Sequence, residues 1–133
     1  MLKLQAALCA RWDSTAGATI RALANAFVFR DDAASQTATP YVTFEYMGAG
    51  TTGSMTGDHS QVMVTFTIWV DHGQLAVGYA IRSALIALFD RFMPSFTGGG
   101  NVISARRDDA GTPIVNPDEG YAITVSYLYI FTD

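Results

Sequence analysis

Charge is scarce in this sequence. Only 15% of its 133 residues are Asp, Glu, Lys or Arg, against about a quarter in ordinary soluble domains. A chain so thinly charged is expected to have some of its surface covered by a partner. Cations are scarcer still: eight Lys and Arg against twelve Asp and Glu leave a formal charge of −4. That balance excludes the clustered basic groups needed to hold phosphates nonspecifically. The single cysteine, Cys9, excludes an internal disulfide and points to assembly in a reducing compartment. Long apolar runs are also missing, none approaching the roughly 18 residues of a membrane span. The opening Met1-Leu2-Lys3-Leu4-Gln5 lacks the basic segment, apolar core and cleavage site of a signal peptide.

Reactive chemistry is equally thin. His59 and His72 have no third ligand at a recognisable spacing. Asp58-His59 and Asp71-His72 read as half-dyads at most, because adjacent side chains diverge and no nucleophile elbow accompanies them. Cys9, beside Leu8 and three residues from Trp12, reads as a buried and inert thiol. The pairs Asp108-Asp109 and Asp118-Glu119 lack calcium-loop spacing and read as solvated loop charges. Gly98-Gly99-Gly100 follows a helix and lacks the Lys-Ser/Thr ending of a phosphate loop, so it reads as a turn. Arg106-Arg107 is too short for a nucleic-acid stripe, and one Arg is expected to pair with a nearby carboxylate such as Asp108. No catalytic residue, cofactor or metal site is expected, and the chain is expected not to be an enzyme.

What the sequence has in abundance is scaffold. Half its residues are hydrophobic and the length suits one domain, residues 1–133, able to bury a real core. From 62 to 70 the even positions Val62, Val64, Phe66, Ile68 and Val70 are apolar, while Gln61, Thr65 and Thr67 are polar. This period of two marks a half-buried strand. Asp71-His72-Gly73-Gln74 then opens a helix running to about Phe92 and closed by Pro94. Val77, Ile81, Leu85, Leu88 and Phe92 line one side of it, and Leu75, Tyr79, Ile86 and Phe89 extend the apolar surface around the cylinder. A helix covering one sheet needs an apolar arc of little more than about 100°. The excess implies either deep burial in its own domain or contact with another subunit.

The flanking elements are legible in the same way. Residues 2–12 place Leu4, Ala7, Leu8 and Trp12 on a helical stripe, and Asp13 or Ser14 suits the cap of a second helical piece through Ala26. Phe27-Val28-Phe29 is a brief extended segment, and the polar stretch 31–39 ends at Pro40, which favours an extended approach. Residues 41–47 alternate as a strand, with Val42, Phe44 and Tyr46 opposite Thr43 and Glu45. Gly48, Gly50, Gly53 and Gly57 among Thr and Ser make 48–60 a flexible hairpin connection. Residues 101–107 form another strand and 108–120, with Pro113 and Pro117, a long loop. The last strand, 121–131, is apolar on one face and carries Leu128 and Ile130 on the other, so it is either central or covered. The expected fold is α+β: a mainly antiparallel sheet of about four strands, helices on one face, in the order α-β-β-α-β-β.

This order resembles the tail-terminator and tail-completion (head-tail joining) proteins of long-tailed bacteriophages. The resemblance rests on Pro40-Tyr41-Val42-Thr43-Phe44, the Gly/Thr hairpin, and Val64-Thr65-Phe66-Thr67-Ile68-Trp69-Val70 leading into a long helix. The strands near Ile103–Arg107 and Tyr121–Tyr129 complete it, so that it spans the chain from Leu4 to Phe131. The segment before Pro40 and the 108–120 loop are longer than the family pattern. The resemblance implies a structural virion protein that caps the head-proximal end of the tail tube as a six-fold, homo-oligomeric ring. It also implies assembly in the host cytoplasm, contact with the tail-tube protein and the head connector or stopper, and DNA passing through without specific binding.

On that reading the helix face around Tyr79, Arg82, Ile86 and Phe89 is the expected subunit interface. The Gly-rich connection (Gly48, Gly50, Gly53, Met55, Gly57) is expected to bind a partner by strand addition. Asp108, Asp109, Asp118 and Glu119 are expected to face the lumen and repel phosphates. Two other readings stay open: a tail-tube or connector subunit of the same particle, and a small α+β ligand-binding domain, for which no convergent polar set is visible.

Overall fold

The computed structural model describes residues 2–29, 38–54, 57–94, 96, 102–110, 114–116 and 120–131. Among these residues three α-helices pack against a mixed sheet. Helix α1 (Leu2–Asp13) and the short α2 (Ala18–Leu23) lead into strand β1 (Phe27–Phe29) and then β2 (Tyr41–Ser54) and β3 (Gly57–Val70). Helix α3 (Leu75–Phe89) follows, then β4 (Val102–Ala110), β5 (Ile114–Asn116) and β6 (Gly120–Phe131). The strands lie in the order β1-β2-β3-β6-β4, with β5 pairing the start of β6 beyond the end of β4.

The α+β class and the main elements match the sequence reading, but the sheet is larger than expected. Among the described residues it has six strands rather than about four. It is mixed, because β1 runs parallel to β2 with Phe27 opposite Val42 and Phe29 opposite Phe44. Both additions are three-residue strands, too short to carry a period of their own. Asn25 fastens the join between α2 and β2: its N–H donates to the Pro40 carbonyl at 2.8 Å and its amide to those of Ala38 and Thr39.

Alternation along β2, β3 and β6 decides where the core sits. Val42 and Phe44, the even residues from Val62 to Val70, and Ile123, Val125, Tyr127, Tyr129 and Phe131 are all buried on one face. Leu4, Leu8 and Trp12 of α1, Ile20 of α2 and Ile81, Leu85, Leu88 and Phe89 of α3 close over them in one cluster. Its centre is aromatic. Phe27 stacks between Trp12 (4.3 Å) and Phe44 (4.7 Å), and Phe66 stacks on Phe89 at 4.8 Å. Offset stacks of this kind add about 0.5–1.5 kcal/mol each beyond area burial.

Helix α3 starts where its sequence says. Gln74 reaches back to accept the Asp71 N–H at 3.0 Å, satisfying one donor of the opening turn, and the Thr39 hydroxyl donates to the Asp71 carboxylate. It stops at Phe89 rather than near Phe92, because Asp90 turns extended and Arg91 takes a left-handed φ of 60°. Gly78 lets α3 close on the sheet, since a Cβ there would stand 2.9 Å from the Ile123 side chain. Gly120, at φ +100° and against the Val70 carbonyl, occupies a position that a side chain would strain.

Strand β6 is the last of the described strands and central in the sheet, pairing β3 from Ser60–Phe131 to Val70–Tyr121 and β4 on its other side. This explains why it is apolar on both faces. On the face away from the helices, Thr43, Thr65 and Thr67 are nevertheless buried. Trp69 covers Thr43, donating its indole N–H to the hydroxyl at 2.9 Å, and Thr65 bonds Ser126 across the strands at 3.1 Å.

Candidate interaction surfaces

The outward side of α3 is built by subtraction. Ile81, Leu85, Leu88 and Phe89 turn to the sheet, leaving Val77 and Tyr79 exposed and Arg82 and Ile86 partly so. Of the four residues expected at a subunit interface, Phe89 is corrected: it is fully buried against Phe66 within its own chain. Its position, three and four residues on from Ile86 and Leu85, places it where α3 crosses the sheet. Tyr79, Arg82 and Ile86 keep surface to offer. Most of the apolar excess of α3 is used inside the domain, because α1 and α2 join the sheet in enclosing it.

The Gly-rich segment is corrected more thoroughly. Residues 48–54 and 57–60 are not a flexible connection but the continuation of β2 and β3. After an irregularity between Met47 and Gly50, pairing resumes as Gly50–Gln61, Thr51–Ser60, Thr52–His59, Gly53–Asp58 and Ser54–Gly57. Gly48, Gly50, Gly53 and Gly57 therefore lie on a two-stranded ribbon, and Met55 at its tip lies outside the described residues. Threonine suits a pleated strand, and glycine is tolerated where no face needs side chains to bury. The last described pair of β3 with β6 is Ser60–Phe131, so among the described residues the ribbon beyond it is held by the β2–β3 ladder.

The acidic residues divide. Asp108 and Asp109 are not in a loop but on β4, with Asp109 opposite Ser126 and Asp108 the extra residue of a bulge. Asp118 and Glu119 lie outside the described residues. Strand β4 runs three residues further than expected because its bulges let an irregular sequence stay paired with β6. Gly98-Gly99-Gly100 is also outside the described residues.

One polar cluster was not foreseen. Tyr127 donates to the Asp90 carboxylate at 2.7 Å, and Arg107 approaches the other Asp90 oxygen at 3.7 Å. Arg107 thus meets the end of α3; the side chain of Asp108, the carboxylate expected for it, lies outside the described residues. Burial, then the bond to Asp90, raises the Tyr127 phenol above its usual range. Burial, then the same carboxylate, raises that of Tyr129, whose hydroxyl is enclosed without a hydrogen-bond partner among the described residues. The cluster ties the C-terminus of α3 to β6 and β4. A pair this far apart in sequence carries no spacing signal.

Elsewhere the geometry offers little for catalysis. His72 sits in the turn before α3 with its ring edge against Tyr121 at 5.6 Å, and His59 is on the ribbon. No group of three metal-ligating side chains occurs among the described residues. Cys9 is half-buried on α1, its thiol raised by burial and then by Asp13. A cleft of about 280 Å³ is lined by Ala7, Ala10, Arg11, Ser14 and Phe92. Its one cation is already engaged, since Arg11 donates to the Leu88 carbonyl at 3.0 Å and lies over Phe92. Such a lining lacks the convergent polar groups of a small-molecule site. No helix among the described residues is long and apolar enough to cross a membrane.

Comparison with known proteins bears on these surfaces. Residues 6–120 match the family described as "Tail completion protein gp17". No curated protein sequence matches. Among solved structures, a chain of the "Virion of native gene transfer agent (GTA) particle" superposes with a TM-score of 0.79. It is 16% identical, over 97% of this chain and 94% of that one. At that identity the likeness concerns the fold.

Proposed function

We propose that this chain, which belongs to the tail completion protein gp17 family and is a structural tail protein of a phage-like virion, caps the head-proximal end of the tail tube as a closed ring. In that place it stops tube growth and joins the tail to the head connector. The family match over residues 6–120 carries the reading. Subunit size is consistent with it. A compact chain of this length has a radius of gyration of about 14 Å, equivalent to a sphere roughly 36 Å across. Six such spheres in cyclic contact leave an opening about one sphere wide, which admits duplex DNA unless strands or loops narrow it.

In this assembly Tyr79, Arg82 and Ile86 on α3 contact the neighbouring subunit, and the ribbon from Gly48 to Ser60 reaches the tube or connector. Asp108, Asp109, Asp118 and Glu119 face the lumen, where carboxylates repel phosphate and let DNA slide without being bound. Particles form in the host cytoplasm, with the chain added at the end of the completed tube. The test is removal of the chain from an assembling particle. Tails of uncontrolled length, not joined to heads, are expected in electron micrographs. Normal tails joined to heads overturn the reading, and the chain stacked along the whole tail would make it a tube subunit instead.

A further inference from the structure

We infer that Tyr79 of one subunit seats in the cleft between α1 and Phe92 of the next, with Arg82 facing Asp13 across the contact. The inference rests on the ring reading above and names the second half of its interface. A closed ring repeats one heterologous contact, so the α3 face of each subunit meets a different surface of an identical one. The protruding half is Tyr79 with Arg82, three residues apart and therefore neighbours on the helix surface. Tyr79 is 44% exposed, although tyrosine is a residue that interface cores favour. Arg82 is partly exposed and makes no hydrogen bond or ion pair among the described residues.

The receiving half is the cleft. Its volume of about 280 Å³ equals that of about nine waters in the liquid, more than a phenol ring requires. Ala7, Ala10 and Ser14 give it low walls on the α1 side. Arg11 is held in place by its bond to the Leu88 carbonyl and by Phe92, whose ring centroid lies 4.5 Å from the guanidinium carbon. A cation fixed in this way is ready to attract a second aromatic face. Met93, one residue beyond Phe92, is 45% exposed, and a thioether beside a ring makes a favourable contact. Two of the four large apolar residues left exposed, Tyr79 and Met93, are thus brought together by one contact.

Charge selects the second copy as the occupant and fixes its direction. Asp13, exposed at the end of α1, stands three residues after Ala10 and makes no ion pair among the described residues. Arg21, which reaches the same end of α1, is committed to the carbonyls of Trp12 and Ser14. Asp13 therefore has a charge to offer to a cation from outside. The three-residue step from Tyr79 to Arg82 equals the step from Ala10 to Asp13, a rise of about 4.5 Å along either helix. With the neighbour's α3 running alongside α1 in the same direction, Tyr79 over Ala10 places Arg82 opposite Asp13.

Charge reversal in assembling particles tests this. Asp13→Arg and Arg82→Glu are each expected to lower the yield of tails joined to heads by about tenfold or more, because like charges then face each other at every contact. The double variant restores opposite charges and is expected to recover the yield to within about twofold. Thermal melts of the purified chain should not move, since neither residue has a partner in its own subunit to lose. Single variants that join tails normally, or that fail without recovery in the pair, overturn the contact and leave the ring standing. Tails that close and join normally when the chain is removed altogether overturn the ring, and the contact with it. Should a variant melt early, hydroxyl-radical footprinting of the unaltered chain decides. Oxidation of Tyr79 and Met93 is expected to fall by about fivefold or more in the particle relative to the free subunit, and unchanged rates overturn the contact.

Discussion

The lower and upper halves of β2 and β3 are one pair of strands under two regimes. Below, Phe44, Phe66 and Ile68 are fully buried under three helices. Above, the same two strands continue as Gly50-Thr51-Thr52-Gly53-Ser54 against Gly57-Asp58-His59-Ser60-Gln61, held to one another by the ladder. On the proposed reading the contrast teaches that one hairpin separates stability from association. The root is fixed by apolar area and aromatic stacking, whereas the ribbon has few large side chains with which to build a core. A ribbon of that kind gains most by pairing with something outside its own subunit.

The comparison is broken most forcefully at the root. Phe66→Ala removes the ring that stacks on Phe89 and is expected to cost about 3–5 kcal/mol, measured by urea denaturation. A loss below about 1 kcal/mol would mean that the root is not the seat of stability. Next comes the Tyr127–Asp90 tie. Burial and the adjacent carboxylate disfavour ionised Tyr127 in the fold, so the unfolded chain releases that proton first. Stability is then full below pH of about 10, the ordinary tyrosine value, and falls as pH rises beyond it. Tyr127→Phe should cost about 1–2 kcal/mol at neutral pH and flatten the alkaline fall, which thermal melts across pH would register. The smallest effect belongs to the ribbon. Replacing residues 53–58 by Asn-Gly should change stability by about 0.5 kcal/mol or less while impairing tail closure. A folding defect without a closure defect would reverse the assignment of roles.

Much of this fold is legible in the residues because its core strands alternate cleanly. Val62 to Val70 and Tyr121 to Phe131 place their even and odd residues as the pattern requires. Asp71 with Gln74 marks the start of α3 in the same way. The failures have physical causes. The ribbon reads as a loop because turn residues and unpartnered strands share Gly, Thr and Ser, and only the ladder distinguishes them. β5 hides between Pro113 and Pro117. Phe89 reads as surface because a helix wheel cannot know that Phe27 of β1 and Tyr127 of β6 join Phe66 around it. The Asp90–Tyr127–Arg107 cluster joins residues 17 to 37 positions apart, beyond any local pattern. Interaction surfaces were the least legible part, since strand edges are set by topology and carry no motif.

The central place of the last strand has a consequence in time. As the chain leaves the ribosome, β2 and β3 can pair as soon as both emerge, and α3 can follow. The inner edge of β3 then waits through residues 71–119 before β6 arrives to fill it. Until then the nascent subunit holds three strands, β1 to β3, with an apolar face and a vacant flank, the state most prone to mispairing with other chains. Filling of the β3 flank is thus a late event, and it converts a sticky intermediate into a closed sheet. A structural protein made in a crowded cell depends on that interval being short, and the speed of translation between Val70 and Gly120 becomes part of its assembly.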